Sequence, residues 1–133
     1  MAYARPSVRV AGLVKDARTT DGWLAFVAPF IQATDSNQVI SAAALSTGLY
    51  VRSGMTAGRS DTTDTAVNIL AANPEMDVGE TFVVAVSVTT AFALTLIAGA
   101  GMTAVGAKTI VASGFGFILF TKTGAATMTY QVL

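Results

Sequence analysis

The chain has no histidine and no cysteine in its 133 residues, and after Glu80 only Lys108 and Lys122 carry charge. The commonest general base and the commonest soft nucleophile are therefore missing. All eight acids lie ahead of residue 81, apart from the apolar carboxyl-terminal part of the sequence. A stretch so poor in reactive groups is suited to packing, and the chain reads as an assembly protein, not an enzyme. No cofactor and no metal is expected.

Charge is scarce throughout. Only 12% of residues are charged, about half the usual share of roughly 25% in a soluble domain. Eight basic and eight acidic residues balance to a net charge of zero, which argues against a nucleic-acid partner. With 53% hydrophobic residues, so small a domain cannot cover its surface with charge, which favours self-association or docking on a partner. A chain of this length can bury roughly two-thirds of its unfolded surface, enough for one core without disulfide or metal.

Thr81 to Ala107 contains no charge and is long enough to cross a bilayer as a helix. Its composition opposes that reading. Ser87, Thr89, Thr90, Thr95 and Thr103, glycines at 99, 101 and 106, and dense β-branched residues disfavour a helix, so no membrane partner is expected. Arg5 and Arg9 precede only a short apolar patch before Lys15 and Asp16, so no signal peptide is expected either.

Residues 1–37 show no single period and are broken by Pro6 and Pro29, with a turn at Thr19-Thr20-Asp21-Gly22. They read as an extended amino-terminal arm. Residues 38–133 read as a domain. Leu49 to Ser53 forms a strand, and a helix follows with Asp61 as N-cap, Asp64 in its first turn, and Ala66, Ile69 and Leu70 on one face. Asn73-Pro74 stops the helix.

Beyond the turn at Pro74 to Gly79 the period becomes two. Phe82, Val84, Val86 and Val88 share one face; so do Phe92, Leu94 and Leu96, then Phe115, Phe117 and Leu119, and finally Met128, Tyr130 and Val132. A short strand falls near Lys108 to Ala112. Short strands between glycine turns after one helix favour an all-β fold, an antiparallel jelly-roll-like sandwich with one short helix and an extended amino-terminal arm. No repeat recurs at a fixed period, which argues against a propeller or solenoid.

Chemical candidates are few. Asp61 with Asp64, and Asp77 with Glu80, are clustered carboxylates; they read either as an acid pair or as a helix cap and a solvated turn. Gly99-x-Gly101 and Gly114-x-Gly116 lack the further glycine or lysine of a phosphate loop and read as turns. No catalytic residue is assigned. Arg5, Arg9, Lys15 and Arg18, with Trp23, Phe26 and Phe30 beside them, form the candidate partner-binding set, because arginine and aromatics dominate interface hot spots. The same aromatics could instead cap the domain's own core.

Gly48 to Ala66, including Gly54-Met55-Thr56-Ala57-Gly58-Arg59-Ser60-Asp61, together with Asn68 to Asn73, Gly79 to Phe82 and Leu94 to Thr103, resembles small capsid decoration or cement proteins of tailed bacteriophages. The likeness covers roughly residues 38–133 and rests on composition. It implies a jelly-roll-type domain, trimeric, on the outer surface of the capsid of a virion, binding the major capsid protein and tying capsomers together. The arm would then reach the capsid protein or the next subunit. A different class stays open: a receptor- or glycan-binding head or tail fibre domain, with Tyr3, Trp23 and Tyr50 as its aromatic contacts.

Overall fold

The computed structural model describes residues 28–133. Ten strands and two short helices follow one another as β1 (Phe30–Gln32), β2 (Val39–Ile40), α1 (Ala42–Leu45), β3 (Leu49–Arg52), β4 (Arg59–Thr63), α2 (Ala66–Ala72), β5 (Thr81–Val88), β6 (Leu94–Ile97), β7 (Met102–Ala104), β8 (Thr109–Ile110), β9 (Phe115–Gly124) and β10 (Thr127–Val132). One sheet has six strands in the order β1-β3-β5-β9-β10-β7, and the other four in the order β2-β4-β6-β8.

Both sheets are mixed, which corrects the expected antiparallel jelly-roll-like all-β sandwich with one helix. Parallel pairs join β1 to β3, β3 to β5 and β10 to β7 in the large sheet, and β2 to β4 and β4 to β6 in the small one. The cause lies in the connections. From β1 to β9 each successive strand belongs to the other sheet, so β1, β3 and β5, and likewise β2, β4 and β6, are neighbours two strands apart in the chain and run the same way. Glycine turns that read as hairpins are mostly arches from sheet to sheet. Only β9 and β10 are consecutive and paired, antiparallel with a bulge at Thr127/Met128.

This winding also has no fixed period. Phe30 pairs with Tyr50, whereas Leu49 pairs with Ala85, because α2 and the turn after it are inserted into the second circuit. Equal spacing is not needed for strands to stack in parallel, and the missing sequence repeat concealed the arrangement.

A single core lies between the sheets. Val84, Val86, Ile118, Phe120, Met128 and Tyr130 from the large sheet face Ile40, Leu94, Leu96 and Ile110 from the small one, all buried. Phe82 stacks on Phe120 with centroids 4.9 Å apart, and Tyr130 crosses the core to donate its hydroxyl to the Leu96 carbonyl at 3.2 Å. The alternation expected for β5 and β10 matches the burial, as do Leu94 and Leu96 in β6.

Two local expectations change. Thr65, not Asp61, caps α2 by accepting from the Asn68 N–H, and Asp61 lies inside β4. Thr65 carries the same capping chemistry, and the acid four residues earlier is drawn into the core by an arginine. In β9 the phase is reversed: Gly116, Ile118 and Phe120 face inward, and Phe115 and Phe117 face out. The strand reads Phe-Gly-Phe-Ile-Leu-Phe and is apolar in both phases, so hydrophobicity alone could not choose. Gly116 settles it, because a Cβ there would meet the Ile110 side chain of the opposite sheet.

The uncharged stretch from Thr81 to Ala107 forms β5, β6 and β7 with their turns. Among the described residues, no helix is long and apolar enough to cross a membrane.

Candidate interaction surface

The period of two places alternate residues of the six-stranded sheet on its outer face. Register then groups them into rows. Ile31, Val51, Ser87 and Phe115 form one row; Leu49, Ala85 and Phe117 form the next, with Leu133 beside Phe117 through its N–H to the Phe117 carbonyl. Val83, Leu119 and Gln131 follow, and then four threonines in line across four strands, Thr81, Thr121, Thr129 and Thr103. No outward position in these rows carries a charge. Phe115 and Phe117 remain 56% and 44% exposed, although their rings meet edge to face at 5.4 Å.

The relief of this face is uneven. Phe115, Phe117 and Leu119 make a ridge along β9, while their partners on β5 are Ser87, Ala85 and Val83. A groove floored by Ser87 and Ala85 therefore runs beside the aromatic ridge, with Leu49 and Val51 of β3 on its far side.

At the β1 margin of the same sheet sits a polar lattice. Arg52 and Asp61 are fully buried and joined Nε to Oδ2 at 2.8 Å. Tyr50 donates its hydroxyl to the same carboxylate oxygen at 2.9 Å, and the Gln38 N–H donates to Oδ1 at 3.0 Å. The rest of the guanidinium caps backbone carbonyls: Nη1 donates to Thr34 O at 2.7 Å, and Nη2 to Ser36 O. Burial, with Asp61 beside it, pushes the Tyr50 phenol well above its ordinary value. Just outside, Asp35 accepts from the Thr56 hydroxyl and N–H and from Arg59, which holds its carboxyl down at about 2. The strand end and the loop touch closely at Gly54, whose φ of 69° suits glycine and whose missing Cβ would collide with the Ala33 carbonyl.

Of the residues picked from sequence, Arg5, Arg9, Lys15, Arg18, Trp23 and Phe26 lie outside the described residues, as does Tyr3. Phe30 is described, and its ring stacks on Tyr50 with centroids 6.0 Å apart, at the edge of the core. Tyr50 is buried and cannot serve as a surface contact.

Each acid pair has partners within the fold. Asp61 binds Arg52, while burial would raise Asp64 but hydrogen bonds from Asn68 and from the Ala42 and Thr65 N–H groups hold it below its ordinary value. Asp77 and Glu80 close their own turn, the Asp77 N–H donating to Glu80 Oε1 at 2.8 Å and the Glu80 N–H to the Asp77 carbonyl. Gly99 packs against Thr63, whose hydroxyl accepts its N–H, and Lys122 donates to the Met76 carbonyl. Among the described residues, no three His, Cys, Asp or Glu side chains cluster as metal ligands.

The period of two groups Phe115 and Phe117 with Leu119 on one strand face without showing that this face is the outer one. Its signal was the glycine between them. No family model, curated protein or solved structure matches the chain.

Proposed function

We propose that this is a virion structural protein, a capsid decoration or cement protein that binds the outside of a tailed-phage head and stabilises contacts between capsomers. One observation carries the reading: a broad outer sheet face that bears no charge among the described residues, from which Phe115 and Phe117 project. Such a face is suited to permanent contact with protein, since interface cores are depleted of charge and enriched in aromatics. The likeness of residues 38–133 to decoration proteins gives the setting: three copies acting together, with the major capsid protein as their partner.

The mechanism is linkage. A protein that binds the assembled lattice and not its separated parts stabilises the lattice by mass action. Three joined copies add avidity, because the second and third contacts form at high effective concentration. Neither step needs a reactive group.

Heads prepared with and without the protein should differ in survival on heating and under osmotic shock, the decorated particles retaining their DNA to higher temperature. Equal survival, or no binding of the purified chain to undecorated heads, overturns the reading.

A further inference from the structure

We infer that the outer face of the six-stranded sheet is where copies of this chain meet, the Phe115-Phe117-Leu119 ridge of one seating in the Ser87-Ala85 groove of another. The inference deepens the proposed function, giving this face to the contact between copies and leaving other surfaces of the oligomer to meet the capsid protein, and rests on that reading for one step.

Relief is the first argument. Ridge and groove lie side by side on one face, set by the pairing of Phe115 with Ser87 and Phe117 with Ala85. A second copy is a partner guaranteed to present the matching relief, and neighbouring ridge and groove can engage reciprocally around a two-fold axis or head to tail around a three-fold one.

Charge is the second. A face with no ionisable group meets its own copy without like-charge repulsion and without desolvating an unpaired charge. It offers nothing to a phosphate backbone or an acidic surface.

Area is the third. The strands are unequal, from three residues in β1 and β7 to ten in β9, and at ~4.8 Å spacing and ~3.3 Å rise they make a flat face of roughly 500 Å². Side-chain relief adds to that figure, and a stable interface needs about 800 Å² from each partner. The face is thus large enough to supply the greater part of one such contact.

Timing is the fourth, and here the proposed function enters. A decoration protein is made before it meets the finished lattice, and an open aromatic sheet face is an aggregation hazard in the meantime. Another copy is the partner present wherever the chain is synthesised.

The test is the mass of the full chain by light scattering or sedimentation over a dilution series. Wild type should be a closed oligomer. Phe117→Asp should weaken association on the order of 100-fold, as for a central interface aromatic, and run as a monomer with an unchanged far-UV spectrum. Ile97→Asp, exposed on the outer face of the four-stranded sheet, should keep the wild-type mass.

Because the chain lacks cysteine, a second measurement does not depend on Phe117→Asp folding. Ala85→Cys and Phe117→Cys chains, mixed and oxidised, should form a disulfide between copies. A wild-type monomer at every concentration, an oligomer unaffected by Phe117→Asp, or no crosslink between the two cysteine variants overturns the inference. Failure of the capsid reading would look different: the oligomer and its crosslink intact, but no binding to heads.

Discussion

Arg52 meets Asp61 at 2.8 Å across the core, and neither side chain has any solvent exposure. Their separation in the chain is short, but they belong to opposite sheets, so the ion pair ties the two layers where the first circuit closes. Its members also carry Tyr50 and the carbonyls of the 32–36 loop.

Removing the second charge should therefore cost less than removing the first. Arg52→Leu leaves a buried carboxylate without its cation and should destabilise by about 3 kcal/mol or more. Adding Asp61→Leu should bring a smaller further loss, giving a coupling energy of about 1 kcal/mol or more. Urea unfolding of the two singles and the double checks this; strictly additive losses would contradict the shared network.

Asp35 sets an acid limit. Hydrogen bonds from Thr56 and Arg59 lower its folded pKa from the ordinary 3.8 to about 2. A depressed carboxyl stabilises the fold above its unfolded pKa and loses that contribution as pH falls through the folded value. Asp35→Asn should then be less stable than wild type near neutrality and approach it as pH falls from about 4 towards 2. Denaturation curves across that range would show the convergence, and a constant gap would refute it.

Tyr50 sets the opposite limit. Burial and the Asp61 carboxylate raise its pKa, so its contribution is complete below about pH 10, the unfolded value, and declines above it. Ultraviolet titration should find Tyr50 un-ionised at pH values where an exposed tyrosine has lost its proton. Tyr50→Phe should cost about 1.5–3 kcal/mol, as for a hydrogen bond to a charged group. A normal phenol titration in the folded protein would contradict the buried contact.

The reversed phase of β9 can be read by truncation. Ile118→Ala removes a fully buried side chain and should cost about 2–5 kcal/mol. Phe117→Ala, on the outer face, should change the unfolding free energy of the isolated subunit by less than 1 kcal/mol. Equal losses at 117 and 118 would restore the inward reading of Phe117.

Legibility followed periodicity. β5 and β10 alternate apolar with polar or small residues, so strand and inward face were both readable, and Ala66, Ile69 and Leu70 marked the buried side of α2. Where apolar residues fill both phases, as in Phe115 to Phe120, pattern loses its discrimination and packing against Ile110 decides. Strand partners were not readable, because a glycine turn bends the chain without stating whether it returns to the same sheet. Nor was the Arg52–Asp61 pair: a charged residue in a strand suggests solvent until its partner is known. The candidate surface was missed for the first of these reasons and not for want of signal.

The anchoring of β1 gives the domain a direction of mechanical strength. Phe30, Ile31 and Gln32 run parallel to Tyr50, Val51 and Arg52, and Arg52 grips the carbonyls that follow. Tension drawn along β1 from its amino-terminal side would load the ladder bonds in shear, all together, along with the guanidinium clasp behind them. A pull across the sheet would peel the same bonds one at a time. The domain is therefore a joint that resists traction along one axis far better than along another.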